Sequence, residues 1–168
     1  MPSRKFFGLV ILLAVALALP GLAQVATAGD YGALQGVKSM DAVFDIRGKS
    51  PKSVLIGLKL VHSMYKDQAL RKADPDPKFA VIFIGPAVKL VSTNRKGFSM
   101  DDAKVLDQLA QTLKAMAADG IELEICVFAA HLLKVDPATI LPVIKKVPNG
   151  WISVIAYQQK GFALVPIY

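Results

Sequence analysis

The order of elements along the chain predicts an α/β fold with three layers, a mostly parallel sheet carrying helices on both faces. First, β-rich runs alternate with helical patterns, which is typical of a parallel sheet. Second, the run Phe79–Ile84 is apolar at every position, as strands buried on both faces are. Third, two helices begin at recognisable caps, Ser50-Pro51 and Ser99.

The first half of the chain predicts two strands with a helix between them. Ala42–Ile46 alternates apolar and polar residues and fits a first strand. Ser50-Pro51 begins a helix, because serine caps it and proline needs no N–H partner there. Apolar residues at helical spacing extend this helix to about Arg71, and Asp74-Pro75-Asp76-Pro77 forms a turn. Phe79–Ile84 is the second strand.

The second half contains the clearest helical pattern. Ser99, with Asp102 three residues later, forms an acidic variant of the capping box, and the helix ends at Asp119-Gly120. Ile121–Phe128 fits a third strand. Four further elements are predicted: a short helical turn over Ala87–Val91, a short helix from Asp136-Pro137 through Ile144, a strand or short helix over Trp151–Tyr157, and an edge strand over Phe162–Val165.

The N-terminus has the pattern of a secretory signal peptide over residues 1–28. Arg4 and Lys5 precede the apolar run Phe6–Leu19, and Ala26-Thr27-Ala28 fits a cleavage site. An uncleaved anchor facing the periplasm is the alternative, because the uncharged segment is nearly long enough to span a bilayer. We therefore expect a periplasmic or secreted protein with a flexible lead-in at 29–41 and one domain at 42–168.

Composition excludes several classes of function. Removing residues 1–28 leaves 18 basic and 13 acidic residues, a net charge of +5, and the basic residues are scattered. Nucleic-acid binding would require a basic stripe with motif support. His62 and His131 stand alone without metal-ligand spacing, and the glycines match no nucleotide-binding motif. The sequence predicts no metal, no cofactor and no nucleic-acid partner.

Cys126 is the only cysteine and therefore has no partner for an internal disulfide. A lone cysteine in an apolar run is usually a small buried hydrophobe. The alternative is a reactive thiol, which requires a nearby cation or helix N-terminus. His131 is the candidate base, and Arg95 and Lys134 are candidate cations.

Two strand exits are candidate ligand sites, because open α/β sheets bind ligands beyond the carboxyl ends of their strands. One exit is Gly85-Pro86-Ala87, and the other runs from Cys126 to His131. If the two strands are neighbours, Cys126 faces a crevice near Gly85.

The segment Gly120–Ala130 resembles the DsrE/TusD segment around a sulfur-accepting cysteine. In both, a helix-ending glycine leads through an alternating strand to Ile-Cys-Val and small residues. A looser similarity runs from Val43 through Val81 to Gly161-Phe162. The chain is similar to the exported branch of the DsrE-like superfamily.

This resemblance implies a five-stranded α/β sheet, assembly into homotrimers or homohexamers, and a persulfide on Cys126. Well-understood members are cytoplasmic and work in relays with partner subunits, whereas this chain has an export signal. One hypothesis is a periplasmic sulfur carrier or sulfurtransferase-like partner. The other is a non-catalytic oligomeric module with Cys126 in its core, which binds a small molecule or a protein near Gly85. Whether the protein is an enzyme stays open.

Overall fold

The fold is that of a computed structural model, which describes residues 31–168. The predicted signal peptide lies outside the described residues. Five parallel strands form one sheet in the order β4-β3-β2-β1-β5. They are β1 Ala42–Ile46, β2 Phe79–Phe83, β3 Glu122–Cys126, β4 Lys145–Val147 and β5 Ala163–Ile167. The α/β fold predicted from the sequence is confirmed.

Helices cover both faces of the sheet. The α-helices are α1 Pro51–Tyr65, α2 Gln68–Ala73, α3 Met100–Ala118, α4 Val127–Leu132 and α5 Gly150–Gln159, and 3-10 helices occupy Gly32–Leu34, Gly85–Val91 and Pro137–Thr139. On one face α1 packs along α3, while α5 lies against β1, β2 and β3 on the other face. Within residues 31–168, no helix combines the length and the apolar character needed to cross a bilayer.

The centre of the core is β2, in which every side chain is buried. Its Phe79 ring lies 5.1 Å from the ring of Phe44 in β1 and 5.2 Å from that of Tyr65 in α1. The Tyr65 hydroxyl donates a 3.0 Å hydrogen bond to the carbonyl of Asp119, just after α3. Burial of each such large side chain contributes roughly 1.5–3 kcal/mol, so this cluster holds α1 and α3 against the sheet.

Both predicted helix starts are confirmed by their caps. The Ser50 hydroxyl accepts a 3.3 Å hydrogen bond from the N–H of Ser53. The Ser99 hydroxyl accepts from the N–H of Asp102 at 3.0 Å and donates to its carboxylate at 2.8 Å. Each cap satisfies an N–H group that has no partner inside its helix.

The predicted single helix reaching Arg71 is wrong, because the structure divides it. Helix α1 ends at Tyr65, and α2 begins at Gln68 after two intervening residues, the second of which is Asp67. The Asp67 carboxylate accepts hydrogen bonds from the N–H groups of Ala69 and Leu70 at 2.8 and 3.2 Å. Asp67 therefore caps a new helix, which the apolar periodicity alone does not indicate.

Two predictions in the C-terminal part are wrong as well. The third strand stops at Cys126, because α4 begins at the next residue. The predicted helix through Ile144 is only a 3-10 turn at Pro137–Thr139, and the missed strand β4 follows it. Two of the three β4 residues are exposed lysines at the sheet edge, so the strand lacks a hydrophobic pattern.

The last two elements are α5 and β5, and α5 settles the choice between strand and helix. The segment Trp151–Tyr157 is helical and belongs to α5. Strand β5 lies at the sheet edge beside β1 and accommodates Pro166, as predicted for an edge strand.

We expect Ser99→Ala to lower the free energy of unfolding by about 1 kcal/mol, because the first turn of α3 loses its capping acceptor. Urea unfolding measures this loss. The control is Ser63→Ala, at an exposed position of α1, which should leave the free energy of unfolding nearly unchanged. Equal losses in the two variants would contradict the capping role.

Candidate functional site

Cys126 occupies the junction between β3 and α4. It is the last residue of the strand and the N-cap of the helix, with no loop between them. Its sulfur accepts a 3.4 Å hydrogen bond from the N–H of Ala129. The N–H groups of a first helical turn carry partial positive charge, so this position favours negative charge on the sulfur.

The start of α5 covers the thiol. A Cβ atom at Gly150 would lie 2.9 Å from the Cβ of Cys126, 3.0 Å from Cγ1 of Ile84 and 3.2 Å from Cγ2 of Ile82. Only glycine permits this approach, because real Cβ atoms essentially never come within 3.0 Å of such neighbours. Cys126 is consequently only 3% exposed.

The two strand exits predicted as ligand sites are neighbours. Strands β2 and β3 are hydrogen-bonded to each other, with Phe83 opposite Ile125. Gly85 has a φ of +57°, Pro86 is exposed and Ala87 is buried at the start of the 3-10 helix that follows β2. The sequence predicts that Cys126 faces a crevice beside Gly85. In the structure, the start of α5 covers the thiol instead.

The structure separates the other candidate residues from the thiol. His131 is exposed on α4 and, within the described part of the chain, forms no hydrogen bond with Cys126. Lys134 follows the far end of α4. Arg95 donates to the carbonyl of Ser92 and, at 3.1 Å, to the carboxylate of Asp107. None of the three supplies a cation to the sulfur.

Two buried carboxylates, which the sequence analysis did not single out, lie on the same face of the sheet as Cys126. Asp45 and Glu124 are each 4% exposed, and both lie opposite Ile82 of β2 in the strand register. Asp45 Oδ2 pairs with Arg47 at 2.7 Å, and Tyr157 of α5 donates to Glu124 Oε1 at 3.3 Å. The second oxygen of each carboxylate has no partner among the described residues.

A sequence signal for these carboxylates exists. Asp45 and Glu124 each stand between apolar residues in a strand predicted to lie inside a covered sheet. Residues 31–168 contain no group of three or more His, Cys, Asp or Glu side chains placed to hold a metal ion.

Comparison with known proteins identifies the family. Residues 42–167 match the model of the DsrE/DsrF-like family. The chain belongs to the DsrE/DsrF-like family. This confirms the resemblance seen in the sequence, and the family includes sulfur-relay proteins.

Individual relatives of this DsrE/DsrF-like protein are distant. An uncharacterized protein of Aquifex aeolicus (strain VF5) is 24% identical over 128 residues, which are 76% of this chain and 56% of that protein. The chain thus spans little more than half of that relative.

Two solved structures share the DsrE-like fold. MTH1491 from Methanobacterium thermoautotrophicum, a protein of unknown function, has a TM-score of 0.59 at 15% identity, and the match covers 76% of this chain and 99% of that one. The ychN protein from E. coli has a TM-score of 0.52 at 11% identity, with the same two shares covered.

The polar contact under α5 makes a pH-dependent contribution to stability. Burial, together with the carboxylates of Glu124 and Glu122, raises the pKa of Tyr157 from 10.0 to about 12. Between these two values the unfolded chain has released the tyrosine proton while the folded chain retains it. The free energy of unfolding therefore falls as the pH rises through this window.

We expect Tyr157→Phe to reduce this fall in the free energy of unfolding. The reduction should be on the order of 1 kcal/mol, after allowance for the exposed part of the ring. Urea unfolding just below pH 10.0 and at about pH 12 measures the difference. Tyr168→Phe is the control, because Tyr168 is 79% exposed and should leave the fall unchanged. An unchanged fall in Tyr157→Phe would contradict the assignment.

Proposed function

We propose that this DsrE/DsrF-like protein accepts sulfane sulfur on Cys126 and passes it to a thiol of a sulfur-relay partner. The observation that supports the proposal is the position of the sulfur, which accepts a main-chain N–H at the start of α4. This junction lies at the carboxyl end of an inner strand, where α/β sheets bind ligands.

The transfer requires only thiol chemistry. The Cys126 thiolate attacks the sulfane sulfur of a polysulfide or thiosulfate donor, a new S–S bond forms, and the donor's own bond to that sulfur breaks. The donor leaves with the electron pair of the broken bond, as a shorter polysulfide or as sulfite. In the second step the acceptor thiolate attacks the outer sulfur, and Cys126 leaves as a thiolate. No external oxidant is needed.

Access to the thiol requires a movement of α5. Gly150 touches Cys126 so closely that no donor molecule fits between them. Movement of the first turn of α5 would uncover the sulfur while its N–H donor, which belongs to α4, stays in place. Protein segments make such movements on microsecond to millisecond timescales.

Intact-mass analysis of the folded protein after incubation with polysulfide or thiosulfate tests the transfer. We expect a gain of one sulfur atom that a reducing thiol removes and that Cys126→Ser abolishes. His131→Gln is the matched control and should load as wild type does, because His131 does not contact the sulfur.

An adduct that persists in Cys126→Ser would contradict the proposal. So would an adduct that forms only after the protein is unfolded in guanidinium chloride, since Cys126 would then be a core residue.

We also propose that the chain is exported to the periplasm and cleaved near Ala28. The basic start, the apolar block and the small residues before Gly29 support this proposal. In the same mass spectra, protein purified from an exporting host should have a mass that corresponds to a chain starting near Gly29. A mass that retains the apolar block would instead favour the anchored alternative.

A second candidate function is a non-catalytic oligomeric binding module, which the burial of Cys126 favours. Helices α4 and α5 also expose a set of large apolar side chains, here called the apolar band. The N–H of Phe128 in α4 donates at 3.1 Å to the carbonyl of Pro148, two residues before α5 begins. The band comprises Phe128, Leu132, Trp151, Ile152 and Ile155, each between 57% and 72% exposed.

We propose that the apolar band joins copies of the chain into a homotrimer or homohexamer. Large contiguous apolar surfaces on soluble domains usually mark contacts with partners. The band suits both functions, because it includes Trp151 and Ile152 in the first turn of α5, the turn that covers the thiol. The sulfur-transfer proposal does not depend on it.

We expect Ile155→Glu to weaken this association at least ten-fold, because a carboxylate would be buried against apolar side chains. Sedimentation velocity across a range of concentrations measures the change. Leu60→Glu is the control, since Leu60 is 66% exposed on α1, away from the band. A monomeric wild type, or equal effects of both variants, would contradict the proposal.

A further inference from the structure

A basic cleft, separate from the thiol, lies between the segment that follows β2 and the turn that follows α4. Its volume is about 220 Å³. Four charged side chains line it, namely Lys89, Lys96, Lys134 and Asp136. The cleft thus gathers three positive charges against one negative charge, from two segments that are far apart in the sequence.

The three lysines lack acidic partners. None of them forms an ion pair with any residue in the described range 31–168. Asp136 is occupied as a helix cap, since its Oδ1 accepts a 2.9 Å hydrogen bond from the N–H of Ala138. Like charges held together repel one another, and a bound anion would relieve this repulsion.

Hydrogen bonds join the segment that follows β2 to the residues just after the second wall of the cleft. The hydroxyls of Ser92 and Thr139 lie 2.6 Å apart, and the N–H of Thr93 donates to the carbonyl of Thr139 at 2.7 Å. The N–H of Leu141 donates to the carbonyl of Val91 at 3.0 Å. The backbone beside the cleft is therefore held in place before any ligand arrives, which lowers the entropic cost of binding.

Lys134 occupies a backbone position that favours glycine. Its φ is +57°, and it is the one non-glycine residue with a positive φ between residues 31 and 168. The N–H of the next residue, Val135, donates to the carbonyl of Ala130 at 2.8 Å, a contact typical of a Schellman helix end. A lysine here costs stability that glycine would restore. The fold gives no reason for the ammonium group, whereas a ligand does.

We propose that this cleft binds a doubly charged tetrahedral oxyanion of the phosphate or sulfate class, free or carried on an organic group. The three ammonium groups and the Asp136 carboxylate leave a net charge of about +2 in the cleft, which matches the charge of such an ion. The half-buried side chains of Phe98, Leu133 and Val135 also line the cleft and offer an apolar surface to an organic group.

Isothermal titration at low ionic strength with phosphate, sulfate and phenyl phosphate tests the proposal, with chloride at matched ionic strength as the reference. We expect saturable binding that Lys89→Gln and Lys134→Gly each weaken about ten-fold or more. Lys59→Gln is the control for charge alone, because Lys59 is exposed on α1 and should bind as wild type does.

Thermal unfolding of Lys134→Gly separates binding from folding, since its midpoint should be about 2 °C higher than that of wild type or unchanged. Tighter binding of phenyl phosphate than of phosphate would assign the site to an organic ester, and equal binding would assign it to the free ion. The proposal is overturned if no oxyanion binds, if chloride competes equally, or if Lys134→Gly binds as tightly as wild type.

Discussion

The contact between Gly150 and Cys126 is the constraint on which the functional surface depends. A side chain at position 150 would collide with Cys126 and Ile84, so α5 reaches the sheet only because glycine begins it. This approach determines how α5 is oriented. It places Tyr157 against Glu124 beneath the helix and leaves Ile152 and Ile155 facing outward. The cover of the thiol, the α5 part of the apolar band and the contact of Tyr157 with Glu124 all depend on this close approach.

Local sequence pattern predicts most of the sheet because β2 and its neighbours carry strong signals. Phe79–Phe83 is apolar throughout, and the caps at Ser50 and Ser99 are ordinary helix starts. Strand β4 is not predicted from the sequence, because it consists of two exposed lysines and a valine. It becomes a strand because it pairs with β3, and no local sequence pattern indicates this pairing.

The candidate site was only partly predictable for a similar reason. The lone Cys126 is visible in the sequence, but its role as a helix cap is not, since cysteine is not among the preferred N-cap residues. Pro148-Asn149-Gly150 fits the end of a preceding helix, whereas Asn149 caps α5 and Gly150 begins it. Likewise the basic residues are scattered along the chain, and only the folded structure brings Lys89, Lys96 and Lys134 to one cleft.

The two carboxylates beneath α5 make this helix energetically unlike α1 and α3. A buried polar atom without a partner costs about 1–3 kcal/mol, and Asp45 and Glu124 each contain one. If α5 separated from the sheet, water would reach both oxygens, and the recovered hydration would offset part of the apolar contact that is lost. Within residues 31–168, the face under α1 and α3, built around Phe44 and Phe79, contains no such unpartnered oxygen. Opening the α5 face would therefore recover hydration that opening the other face would not, and Cys126 lies under the α5 face.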